Sequence, residues 1–121
     1  MEGDLERTVA LSQRLQEHGV DLLDISSGGN VPAPLIPVGP GYQTRFAAAV
    51  REAVDIPVST VGLITEARQA EHVLASGQAD VVSVGRAALA DPRWWHRAAY
   101  QLGHELSWPG QYARVVDSQV Y

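Results

Sequence analysis

The chain has 121 residues, about one domain's worth, and its 45% hydrophobic content is enough for a real core. Its net charge of −5, with acids and bases mixed along the chain, argues against a general nucleic-acid binder, which needs a basic face. No apolar stretch approaches the roughly 20 residues of a membrane span, the acidic start Met1 to Arg7 lacks the apolar core of a signal peptide, and the absence of cysteine removes disulfide and thiolate chemistry and leaves the cytoplasm as the default location.

In chain order, Asp4 can cap a helix over Leu5 to His18, with Leu5, Thr8, Val9, Leu11, Ser12 and Leu15 on one face. Gly19 suits its end, and His18 in the last turn is a cap-side residue rather than a ligand. Val20 to Ile25 is strand-like and runs into Ser26-Ser27-Gly28-Gly29, either an ordinary loop or room for a ligand at a strand's carboxyl end. Residues 30–42, rich in proline and glycine, form a long irregular excursion, and loops of that length often carry function. Gln43 to Val54 reads as a helix with Phe46, Val50, Ala53 and Val54 on one side, and Ile56 to Val61 as a strand closed by Gly62. Thr65 is placed to cap a helix through Ala75, with Ala67, Ala70, Val73 and Leu74 inward, His72 and Glu71 outward, and Gly77 ending it.

Asp80 to Pro92 is the stretch around which the chain is organised. Val81, Val82 and Val84 suit a strand buried on both faces. Gly85 and Arg86 follow at once, then the helix-favouring Ala87 to Ala90. A glycine there lets an anion approach the backbone, the next helical turn points N–H groups at it, and arginine adds a planar donor fork. The same residues also fit a tight strand-to-helix turn with a solvated arginine. Asp91 and Pro92 fit the cap and first position of a helix over Arg93 to Leu102, whose Trp94, Trp95, Ala98 and Leu102 suit a core. After Gly103 the periodicity is lost, and residues 108–114 look like an extended tail.

Alternating helix and strand demand parallel strands with right-handed crossovers. Three such strands leave two open edges, so the pattern is that of part of something larger, and a (β/α)8 barrel needs about 250 residues. Such barrels frequently hold a phosphate in the loops after the last two strands, beside a short extra helix. Gly62 and Gly85-Arg86 stand at those two places, and together they are more specific than either alone. The fold expected is α/β, the last three strand–helix units of a TIM barrel with a leading helix, over residues 1–114, with 115–121 a tail.

Five stretches in order carry a resemblance: residues 20–28 (VDLLDISSG), 40–43 (PGYQ), 61–65 (VGLIT), 80–92 (DVVSVGRAALADP) and 109–114 (PGQYAR). They resemble the carboxyl-terminal part of the old yellow enzyme family, closest to its NADPH dehydrogenase or thermophilic-like ene-reductase branch. The resemblance implies an FMN-binding barrel that takes hydride from NAD(P)H and passes it to an activated alkene. It implies that Gly62, Gly85 and Arg86 hold the FMN phosphate with backbone help at Leu63, that Ser27 and Gly28 lie along the ribityl chain, and that Arg114 matches an arginine reaching into a neighbouring subunit's site.

No residue here matches the family's substrate-binding histidine pair or its proton-donating tyrosine, so no catalytic residue and no metal ligand is assigned. The chain is expected to supply the FMN anchor of an oxidoreductase without being competent alone, with a homo-oligomer or a missing amino-terminal half as partner. Two other readings stand beside it: a piece of a phosphosugar-processing barrel, and a non-catalytic half-barrel that pairs its exposed edges with a partner.

Overall fold

The computed structural model describes residues 2–26, 44–112 and 114. Within them run α1 (Glu2–Glu17), β1 (Leu23–Ile25), α2 (Thr44–Ala53), β2 (Val58–Thr60), α3 (Ala67–Ala75), β3 (Val81–Val82), α4 (Arg86–Ala90) and α5 (Trp94–Gln101), then a 3-10 turn at Gly110–Tyr112. The strands form one parallel sheet in the order β1-β2-β3. Leu23, Asp24 and Ile25 stand opposite Val58, Ser59 and Thr60, and Ser59 and Thr60 opposite Val81 and Val82. The α/β order and the parallel pairing are those expected from the alternation of helix and strand.

Side chains alternate across a strand. Leu23, Ile25 and Val58 therefore share one face, where Ala47 and Val50 of α2 and Val73 of α3 bury against them with Ala79. Val9 and Leu15 of α1 border this core, and α1 packs on α2. A second cluster joins α3 to α5 through Ala67, Trp94 and Ala98, with Val84 and Ala87 beside it. On the sheet's other face Leu22 and Val81 remain 45% and 41% exposed, so among the described residues the helices cover one side of the sheet. No described helix is long and apolar enough to cross a membrane.

Several local expectations are corrected. α1 starts before Asp4, whose carbonyl accepts the Thr8 hydroxyl 2.8 Å away from within the helix, and Leu11 points to solvent. Glu66 rather than Thr65 precedes α3, and Leu74 is partly exposed. β3 is not buried on both faces: it is two residues long and lies at the sheet edge, where Val81 has a strand on one side only. On α5, Trp94 and Ala98 are core, but Trp95 and Leu102 are exposed because the helix packs through one stripe. Arg93 rather than Asp91 stands at the N-cap of α5, and Pro92 lies before the helix; the Asp91 carboxylate accepts the Arg93 N–H at 3.0 Å. The segment after α5 is not simply extended, since Trp108 lies against His96 of that helix.

Gly19, Gly77 and Gly103 end α1, α3 and α5 as expected, each with positive φ. In all three the following N–H closes back onto the last turn, from Val20 to Leu15, Gln78 to Val73 and His104 to Ala99, which satisfies carbonyls the helix leaves open.

Candidate functional site

Parallel pairing brings the carboxyl ends of all three strands to one edge of the sheet. The Ser83 N–H donates to the Thr60 carbonyl at 2.8 Å, so the chain after β3 stays beside β2 until both turn away. Two residues past the Thr60–Val82 pair the chains reach Gly62 and Val84, and Gly85 comes next. The two glycine turns singled out in the sequence thus follow the carboxyl ends of adjacent strands.

The turn after β2 is strained. Gly62 is buried with φ 128°, and Leu63 has φ 50°, the one positive φ outside glycine among the described residues. A side chain in that region costs about 1–2 kcal/mol and persists where the surroundings over-determine it. Here they do. Gln69 of α3 reaches back, its Oε1 accepting the Thr65 N–H at 3.1 Å and its Nε2 donating to the Leu63 carbonyl at 3.4 Å. From α5, Trp94 Nε1 donates to the Thr65 carbonyl at 2.8 Å, and Ile64 is buried beneath. α3 and α5 thus hold the Leu63-to-Thr65 segment in place.

The turn after β3 is open. Gly85 precedes α4, its carbonyl accepts the Leu89 N–H at 3.0 Å, and a Cβ built on it would meet nothing within 4 Å. The N–H groups of the first turn of α4 have no acceptor within the helix. Arg86 is exposed and pairs with no carboxylate among the described residues, whereas Arg51 and Arg97 are bound to Asp80 and Asp91. Space before a glycine, orphan donors and an uncommitted guanidinium together suit an anion of phosphate size.

Below this edge, on the face away from the helices, Ser59 Oγ and Ser83 Oγ are 3.2 Å apart, and Asp24 sits beside Ser59 in register. This polar row escaped the sequence reading, as did the bracing by Gln69 and Trp94. The Glu66-to-Gln69 spacing was a legible signal of a helix start; nothing local told that Trp94 would reach Thr65.

Ser27 and Gly28, and the 30–42 excursion, lie outside the described residues, as do residues 115–121. Arg114 is described and exposed.

The opposite, amino-terminal edge of the sheet is differently built. The Asp80 carboxylate accepts the Val58 N–H at 3.0 Å and Arg51 Nε at 3.1 Å, while Arg51 also donates to the Gly77 carbonyl at 2.8 Å. The Val58 N–H, followed by the Arg51 bond and charge, holds the Asp80 carboxyl below its ordinary 3.8, against a partial burial that opposes it. An open hollow of about 280 Å³ lies there, lined by Arg51, Val54, Asp55, Ile56, Pro57 and Asp80. Its cation is already engaged.

The model of the NADH:flavin oxidoreductase / NADH oxidase family matches residues 9–105. The chain is 44% identical over 112 residues to an NADPH dehydrogenase of Halalkalibacterium halodurans, covering 93% of this chain and 33% of that protein. It is 50% identical over 102 residues to one of Geobacillus thermodenitrificans, covering 84% and 30%. With one of Bacillus subtilis the identity is 42% over 111 residues, covering 92% and 32%. The chain spans about a third of the length of these curated relatives.

Proposed function

The chain belongs to the NADH:flavin oxidoreductase / NADH oxidase family, and from that premise we propose that it carries the FMN phosphate anchor of an NAD(P)H-dependent ene-reductase built on a (β/α)8 barrel. The observation that supports this is the succession of two turns at the carboxyl ends of adjacent strands: a braced Leu63 after β2 and an open Gly85-Arg86 after β3. Bound FMN supplies the hydride chemistry, and the protein supplies position and field.

In this reading Gly85 lets the phosphate close on the backbone, the first N–H groups of α4 donate to it, and Arg86 closes a charge-assisted fork on two of its oxygens. Gly62 and the Leu63 backbone form the other wall. Ser27 and Gly28 follow the ribityl chain, and Arg114 is offered to a neighbouring subunit. The half-exposed face of the sheet with Asp24, Leu22 and Val81, and the outer edges of β1 and β3, are where the remaining strands of a barrel stand. This chain alone then binds the cofactor's phosphate end without reducing enones at more than the rate of free flavin.

The test is a fluorescence titration of FMN into the wild-type chain and its Arg86→Ala and Arg86→Lys variants, with riboflavin as the phosphate-free control. Arg86→Ala is expected to weaken FMN binding by about 1.5–3 kcal/mol and leave riboflavin unaffected. Arg86→Lys recovers part of the loss, since an ammonium lacks the planar fork. Equal FMN affinities across the three proteins would return Arg86 to a solvated turn residue.

A further inference from the structure

We propose that Arg93 is a clasp that pins the segment after α5 onto the chain's own helix layer, its guanidinium held between two rings of that segment. Arg93 Cζ lies 5.5 Å from the centroid of the Trp108 ring and 5.0 Å from that of Tyr112. The two rings are 6.5 Å apart. Trp108 also rests on His96, with centroids 4.0 Å apart and planes inclined by 42°. Arg93 and His96 are three residues apart and so share one face at the start of α5. The segment therefore meets the helix at two side chains rather than one.

Arg93 stands at an unfavourable place for a cation within α5 itself: it occupies the N-cap, where the helix end is partially positive. Its backbone N–H is already satisfied by Asp91, whose other oxygen takes Arg97 Nε at 3.1 Å. Asp91 thus binds the Arg93 N–H and pairs with Arg97, and the Arg93 guanidinium lies against the rings, whose faces attract a cation. Trp and Tyr give large contact at small cost in side-chain freedom. The turn at Gly110–Tyr112, closed by the Tyr112 N–H on the Pro109 carbonyl at 2.8 Å, brings the second ring back to the same guanidinium.

The consequence is positional. Arg114 follows Tyr112 by two residues, so a closed clasp sets where that guanidinium leaves the molecule. Its use for Arg114 rests on the reading given under Proposed function, but the clasp itself involves no flavin and is tested without one.

Hydrogen exchange followed by mass spectrometry on the flavin-free chain decides it, comparing wild type, Arg93→Ala, Arg93→Lys and Tyr112→Leu. In Arg93→Ala, exchange over residues 104–112 is expected to accelerate about 5- to 30-fold, with exchange in α3 unchanged. Arg93→Lys, which keeps a cation, stays closer to wild type. Tyr112→Leu leaves Arg93 and the α5 start intact and accelerates the same peptide, which keeps the test decisive should Arg93→Ala fail to fold. Exchange over 104–112 at the wild-type rate in Arg93→Ala or Tyr112→Leu, or at the rate of an unstructured peptide in wild type, would overturn the clasp.

Discussion

The two edges of the small sheet are built to opposite ends. At the amino edge every polar group that matters is matched: Asp80 takes the first N–H of β2 and the Arg51 guanidinium, and Arg51 takes the Gly77 carbonyl. At the carboxyl edge Leu63 sits at positive φ, Gly85 faces open space and Arg86 has no carboxylate partner among the described residues. A closed network stabilises, and an edge with strain and spare donors is where the proposed phosphate anchor would sit. The difference is that the amino edge is closed by its own side chains, whereas the carboxyl edge is left open.

Substitutions can break that contrast, beginning with the group that links both turns to the core. Trp94→Ala removes a buried ring and the bond to Thr65, and should cost about 3–5 kcal/mol in urea or thermal unfolding. Trp94→Phe keeps most of the packing and loses the Nε1–H donor, so its smaller cost isolates the bracing of the β2 turn. A loss as large as that of alanine would mean that the hydrogen bond outweighs the packing.

At the amino edge, Asp80→Ala leaves the Val58 N–H without its side-chain acceptor and Arg51 without its carboxylate, and should destabilise by about 1–3 kcal/mol while leaving FMN affinity unchanged. Arg86→Ala should do the reverse, weakening FMN binding with the unfolding midpoint unmoved. If the two variants shift the same observable, the division of labour between the edges is wrong.

Acid sharpens the comparison. The folded-state pKa of Asp80 is depressed, so its contribution to stability is complete above the ordinary value of 3.8 and is lost as pH falls through the lower folded value. Wild-type stability should therefore decline below about pH 4 with a component that Asp80→Asn lacks. Asp91, depressed first by the Arg93 N–H and then by Arg97, titrates in the same direction and keeps some slope in the variant. Identical pH profiles would remove Asp80 from the account.

The smallest effect expected is at Leu63. Leu63→Gly relieves the positive φ and gives up a half-buried side chain, so the two should offset to within about 1 kcal/mol. Leu63→Val, β-branched, should cost more than the glycine. The opposite ranking would mean that side-chain packing, not backbone conformation, governs that turn.

Much of this was legible along the chain. The helix–strand alternation gave the parallel sheet, and Gly19, Gly77 and Gly103 marked three helix ends and Gly62 the turn after β2, because glycine takes positive φ at no steric cost; Gly85-Arg86 marked the second turn, where φ is negative. Other features depend on neighbours remote in sequence, and no local pattern carries them. Leu11, Trp95 and Leu102 are as apolar as their buried neighbours, and only the packing of α1 on α2 and α5 on α3 decides which stripe is covered. Val81 and Val82 read as a doubly buried strand, yet edge position leaves Val81 half exposed. Only the register sets the Asp80 carboxylate against the Val58 N–H, and Trp94, core as expected, also gives its indole N–H to the Thr65 carbonyl. Composition and spacing determine which residues can turn, cap or hide; the sheet register and helix crossings decide what each of them meets, because contact energy is short-ranged and the chain is not.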